Sequence, residues 1–287
     1  MFHGKLPKHT TIYCVVFGWK FGVVKLMSLC DNIFAVALQG KIRAICEDLR
    51  KTMGMDFNSK DMYTQGINLL EGGQYERAVE SLTLSADAGN VDAQYTLGNL
   101  YAQGLSVAQN LPIAVKYYTL SAKQGHGDAQ YWLGYMCQHG YGIDKDLQAA
   151  REWYQASADN GNKLAYYQLG QMYEFGWGVD IDFERAVVNY EISAYGDLAE
   201  GQYAYGRVLA KGIGVAKNEK KAFEFLLRSA KQGHGYAQQE VGNMYWYGIG
   251  TDKDEKQAEK WLKKANDNTN FESLTYYSSW ENLIHKI

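Results

Sequence analysis

The sequence predicts an all-α protein, a solenoid of stacked helix hairpins. A block of fixed pattern carries that prediction: Ala93-Gln94-Tyr95-Thr96-Leu97-Gly98 returns as Ala129 to Gly134, Ala165 to Gly170, Gly201 to Gly206 and Ala237 to Gly242, 36 residues apart each time. Units this short cannot bury an apolar face alone, so they stack in one dimension. Composition agrees, because 30 Gly and only 2 Pro suit helices separated by tight glycine-closed turns.

Bulk properties exclude some classes of function. The 287 residues carry a net charge of −3, so no overall field favours nucleic acid or an anionic membrane. Of the four cysteines, Cys14, Cys30 and Cys46 precede the repeats and only Cys137 lies within them. No pair recurs with the period, so disulfides do not join the units.

Taken in order, residues 1–30 form an apolar amino-terminal segment. Lys20, Lys25 and Asp31 interrupt the run Ile12 to Leu38, and Ile12 to Trp19 is too short to span a membrane. That stretch could serve as the core of a signal peptide, or it could be an upstream extension with the natural start at Met27, Met53 or Met55. Against export, the best small-x-small site, Ala35-Val36-Ala37, lies beyond the charged residues. Cytoplasmic residence is expected, with export as the alternative and membrane association only if the segment is retained. Residues 31–54 read as an amphipathic helix, with Ile33, Phe34, Ala37, Leu38, Ile42, Ile45 and Leu49 at helical spacing.

The array is expected over residues 60–266, one short unit followed by five full ones. Ser59 is the expected cap of its first helix. The first unit is short because six residues, not ten, separate its turn glycine Gly72 from the packing residue Ala78. In the full units we number positions from the Ala column (Ala93, Ala129, Ala165, Ala237). The Gly at position six (Gly98, Gly134, Gly170, Gly206, Gly242) implies close packing, since a mid-helix Gly otherwise costs about 1 kcal/mol. Leu97, Leu133, Leu169, Tyr205 and Val241 fill the core beside it. Gly-x-Gly turns end the first helices (Gly140/Gly142, Gly176/Gly178, Gly212/Gly214, Gly248/Gly250), with Ser106 as the departure. Asn110, Asp146, Asp182, Asn218 and Asp254 then cap the second helices. Those helices carry a packing Ala column, Ala114 to Ala258. Residues 267–287 place Phe271, Leu274, Tyr277 and Ile284 at near-helical spacing and are expected to form a terminal capping helix.

The pattern A-x-x-x-L-G-x-M-Y-x-x-G-x-G-V, then D/N, then A-x-x-x-Y-x-x-S-A-x-x-G resembles the Sel-1-like repeat family, α/α relatives of the tetratricopeptide repeat. The resemblance covers roughly Met62 to Asn266. It implies a right-handed superhelix of helix hairpins that acts as a protein–protein adaptor, with the first helices lining the concave side. Some secreted relatives carry one disulfide per repeat, and those cysteines are missing here.

Core columns keep their residue from unit to unit, whereas positions four, seven and eleven of the first helix do not. These share one helix face and are the candidate binding surface for a protein or peptide: Trp132, Tyr135 and His139; Gln168, Gln171 and Phe175; Arg207 and Lys211; Asn243 and Tyr247. Aromatic and Arg side chains dominate interface hot spots, so Trp132, Tyr135, Phe175 and Tyr247 are expected as anchors and Arg207 and Lys211 as readers of a charged group. The regular tyrosines Tyr95, Tyr131, Tyr167 and Tyr203 are expected to be structural. His126 and His234 occupy equivalent turns three units apart, and His139 stands alone, so no metal site is expected and no cofactor. The chain has no G-x-S-x-G elbow, Walker loop, H-E-x-x-H or S-x-x-K motif. The expectation is a non-enzymatic adaptor that binds a segment of a partner protein, with no nucleic acid. The alternative is an exported cell-envelope or secreted factor contacting host or glycan surfaces.

Overall fold

A computed structural model describes residues 58–268. The expected helix over 31–54, the apolar segment before it, nearly all of the expected capping helix and three of the four cysteines lie outside the described residues. Those that are described contain twelve helices and no strand, and they fall into two units, one ending at Ala88 and one beginning at Gly89.

The first unit contributes one hairpin, α1 (Ser59–Glu71) and α2 (Tyr75–Asp87). Asn58, not Ser59, caps α1. Its backbone is extended and its side-chain oxygen accepts the N–H of Lys60 at 3.1 Å. Ser59 is already helical, and its carbonyl accepts the Ser85 hydroxyl from α2 at 2.5 Å. Within the hairpin, Gly66 faces Leu82. A Cβ there would come 2.6 Å from the Leu82 Cγ.

The second unit holds five hairpins: α3 (Val91–Gln103) with α4 (Leu111–Ala122), α5 (Gly127–His139) with α6 (Leu147–Asp159), α7 (Lys163–Phe175) with α8 (Phe183–Tyr195), α9 (Ala199–Lys211) with α10 (Glu219–Lys231), and α11 (Gly235–Tyr247) with α12 (Glu255–Asp267). Each helix packs on its neighbours in sequence. Every predicted cap of the second helices does its work. Asn110, Asp146, Asp182, Asn218 and Asp254 each accept the N–H three residues on, at 2.9–3.1 Å. That satisfies one of the donors a helix start leaves unpaired. The first helices end on a left-handed glycine, whose N–H returns to the carbonyl four residues back, as Gly140 does to Met136.

Three buried devices recur among the hairpins. Where a tyrosine lies opposite position six, its ring covers the glycine. A Cβ on Gly170 would sit 2.5 Å from the ring of Tyr190, which is fully enclosed. Ser121, Ser157, Ser193 and Ser229 on the second helices donate their hydroxyls to Val91, Gly127, Lys163 and Ala199 carbonyls at the start of the first helices. At position two, Gln130, Gln202 and Gln238 donate to the Ala122, Ala194 and Ala230 carbonyls of the preceding hairpin. The same glutamines accept the amides of Asn160, Gln232 and Asn268 from the end of their own hairpin. Each such Gln fixes both the closure of one hairpin and its register on the last. Tyr166 takes this position in α7 and cannot repeat the pattern.

Candidate partner-binding surface

The face read from the sequence divides along the length of the first helices. Its middle is closed. Trp132 is 3% exposed, Tyr135 6% and Gln168 3%. Thr96, Asn99 and Ala204 at equivalent positions are buried as well. Trp132 packs edge-on against Tyr131 and Tyr135 at ring distances of 5.2 and 5.7 Å. Gln171 is half-buried and donates to the Tyr167 hydroxyl at 3.0 Å, while its buried Oε1 lacks a partner. Asn243 is half-buried on the last first helix.

Arg207 is engaged inside the protein. Its guanidinium holds the Glu174 carboxylate of the preceding hairpin, with Nη2 2.6 Å from Oε1. Glu174 is itself buried and accepts the Tyr190 hydroxyl at 2.7 Å. A buried carboxylate requires such a cation nearby. Burial and then the hydrogen bond to Glu174 push the Tyr190 phenol far above its ordinary range, so it remains a donor. Glu174 also outweighs the desolvation of Arg207 and raises its pKa. The charge of Arg207 is thus neutralised before any partner arrives. Asn99 and Gln138 take the corresponding hydroxyls of Tyr118 and Tyr154, each at 2.7 Å.

The carboxyl-terminal end of the same face is open. Phe175 is 49% exposed and Tyr247 70%. Lys211 is exposed. His139 is not isolated, because its ring lies 4.2 Å from that of Tyr135 and 5.4 Å from that of Tyr141. The exposed row continues into residues the repeat comparison passed over. The middle residue of each turn is apolar in all five hairpins: Leu105, Tyr141, Trp177, Ile213 and Ile249. Trp177 is 36% exposed and its ring lies 5.2 Å from Phe175. Ile143, Ile181 and Phe183 stand exposed nearby along the chain. The second glycine of the last four turns explains how those tips are held in a row. Gly178 has φ +71°, and a Cβ on it would meet the Leu147 side chain at 2.7 Å. Gly142, Gly214 and Gly250 lie likewise against Leu111, Phe183 and Glu219, so each of these four turns seats directly on the start of the preceding hairpin's second helix. The signal was present in the sequence as an apolar column at a turn tip, where solvent exposure normally selects polar residues.

The two turn histidines serve structure. Nδ1 of His126 and of His234 accepts the N–H of Ala129 and Ala237 at 3.2 Å, making both helix caps. Each ring stacks on the position-three tyrosine of the preceding hairpin, Tyr95 at 4.4 Å and Tyr203 at 4.5 Å. Among the described residues no group of His, Cys, Asp or Glu is placed to hold a metal, and no helix is long and apolar enough to cross a membrane. A shallow depression of about 520 Å³ on the first unit is lined by Asp61, Thr64, Gln65, Asn68, Leu69 and Gln74. It contains no nucleophile paired with a base.

Comparison with known proteins places these observations in a family. The chain is 25% identical to c5321, a protective antigen of uropathogenic Escherichia coli with an SLR fold. That match has a TM-score of 0.72 and covers 78% of this chain and 49% of the other. A Sel1 repeat protein from Oxalobacter formigenes matches at 30% identity and TM-score 0.68, over 73% of this chain and 84% of its own. An exopolysaccharide production negative regulator from Rhizobium leguminosarum bv. viciae is 30% identical over 92 residues, 32% of this chain; the chain spans about a third (34%) of that relative's length. The Sel1 repeat model matches five times in succession, at 91–126, 127–162, 163–198, 199–234 and 235–270, and the chain belongs to the Sel1 repeat family.

Proposed function

We propose that the protein is a non-enzymatic adaptor that holds a segment of a partner protein against the row of turns closing its first helices. Sel1 repeat proteins generally mediate protein–protein interaction, and this chain offers a surface suited to it. The observation that carries the reading is the exposed, mutually packed pair Phe175 and Trp177, next in the row to Tyr141 and His139. Monomeric proteins seldom leave such apolar patches uncovered unless they bind something. Tyr135 supports the surface from beneath through His139 and Tyr141, with Trp132 packed behind it, while Gln168 is buried away from contact; Phe175, Lys211 and Tyr247 belong to the proposed contact row. The Rhizobium relative is named a negative regulator, a role an adaptor fills without chemistry.

The test is affinity capture from native lysate by the wild type and by a Phe175→Ser/Trp177→Ser variant, with circular dichroism showing that both are folded. A partner held by the wild type and lost by the variant is expected. A partner held equally by both moves the binding surface away from this edge.

A further inference from the structure

We infer that the edge formed by the turns of the second and third full hairpins takes an extended peptide that alternates apolar and basic side chains. The inference rests on the adaptor reading above and adds the chemistry of the occupant. The apolar half of the argument is the row Tyr141, Ile143, Phe175, Trp177, Ile181 and Phe183, all exposed. It mixes aromatic faces with branched aliphatic side chains, which suits peptide side chains better than sugar hydroxyls.

The charged half comes from the same two turns. Asp144 and Asp180 are exposed, each three residues beyond its apolar tip, and neither has an ion-pair partner among the described residues. Glu184 is exposed on the adjoining helix start and is likewise unpaired. Asp146 and Asp182 cap the helices behind them. Within these turns and the helix start the basic residues are Lys145 and Arg185, and Arg185 is already engaged by Asp182 at 3.2 Å and lies over the Tyr173 ring. Negative charge is therefore in excess around the aromatic tips, which repels acidic segments and attracts Lys and Arg. The exposed ring faces favour the same cations.

The balance reverses at the next hairpin, where Lys211 and Lys220 are exposed, Lys217 and Lys221 are paired with Glu219 at 2.7 Å and Glu191 at 3.2 Å, and the tip, Ile213, is half-buried. The basic part of the occupant thus ends over the third hairpin. Taking the spacing of packed helices, about 8–10 Å, as the step between adjacent tips, about three residues of extended chain span it. Apolar side chains are needed roughly every third residue, with Lys or Arg between them.

A phage-displayed library of random 12-residue peptides, selected on the full chain, tests this. Enriched peptides are expected to carry apolar residues about three apart and net positive charge. The Phe175→Ser/Trp177→Ser variant should weaken binding of the best peptide at least tenfold. The Asp144→Asn/Asp180→Asn variant should keep the apolar preference and lose the basic one, and salt should weaken the wild-type complex. Enrichment of neutral or acidic peptides that still need Phe175 and Trp177 overturns the basic occupant while leaving the adaptor edge standing. Peptides that bind the Phe175/Trp177 variant equally well overturn the edge itself, and a selection that enriches nothing overturns the inference.

Discussion

At the scale of single residues, two local conformations lead to predictions. Ser106 stands where the other four turns carry their second glycine and adopts φ +66°. A left-handed serine is strained by its Cβ. Ser106→Gly should raise stability by about 0.5–1 kcal/mol, offset in part by the flexibility glycine gives the unfolded chain. An unchanged urea midpoint would show that the loop relaxes without it. Asp197 is also left-handed, at φ +62°, but its carboxylate accepts the side chains of Gln202 at 2.8 Å and Gln232 at 3.3 Å, a gain Ser106 lacks. His234 presents a different case. Burial lowers its pKa from about 6.5 to about 4. Between those values the unfolded chain binds a proton that the folded chain refuses, so stability rises with pH across that window and is lost on acidification. The full effect is about 3 kcal/mol, at 1.36 kcal/mol per unit. His234→Asn should keep the cap, as Asn162 does at the equivalent site, and flatten the pH dependence between 4 and 6.5. Urea midpoints at pH 7 and pH 4.5 measure it, and an equal loss in both proteins would assign the acid sensitivity elsewhere.

At the scale of elements, what the sequence reveals depends on how local its cause is. The caps Asn110 to Asp254 are legible because a side chain meets an N–H three residues away, whatever the rest of the chain does. The Gly column is legible as close packing, but not its partner, since Tyr118, Tyr154 and Tyr190 reach it only once the hairpin closes. Positions four and seven are harder to read. Their variation resembles a binding face, yet the same variation arises when each residue must fit a non-identical neighbour. Glu174 and Arg207, 33 residues apart, are such a fitted pair. Breaking it should expose the cost. Arg207→Met leaves Glu174 buried beside Tyr190 without its cation and should destabilise by about 2–3 kcal/mol, less than a fully buried pair because Arg207 keeps some solvent contact. Adding Glu174→Gln should restore much of that loss, because Gln138 serves the same role for Tyr154. Thermal unfolding of the two single variants and the double variant closes the cycle. Additive losses would mean that the two side chains are not coupled.

At the scale of the whole molecule, the hairpins of the second unit touch mainly their sequence neighbours, so stability there should behave as a sum of hairpin and interface terms. The consequence is regional. Gly134 lies in a hairpin with a neighbour on both sides, whereas Gly242 lies in the last described hairpin. Each has its missing side chain's place filled from the facing helix, by Tyr154 at 2.9 Å and by Leu262 at 2.7 Å. Alanine at either site overpacks the contact and should cost about 1–3 kcal/mol locally. The readouts should differ. Gly242→Ala is expected to speed amide exchange in α11 and α12 alone, leaving α5 to α8 as protected as in the parent. Gly134→Ala should instead lower protection in α5 and α6 and in the helices on either side, and broaden or divide the urea transition. Native-state hydrogen exchange resolves the two patterns. Uniform loss of protection along the second unit in both variants would mean that the five hairpins open as one cooperative body. The proposed binding edge would then inherit its rigidity from the entire stack, and not from the hairpins that carry Tyr141 and Trp177.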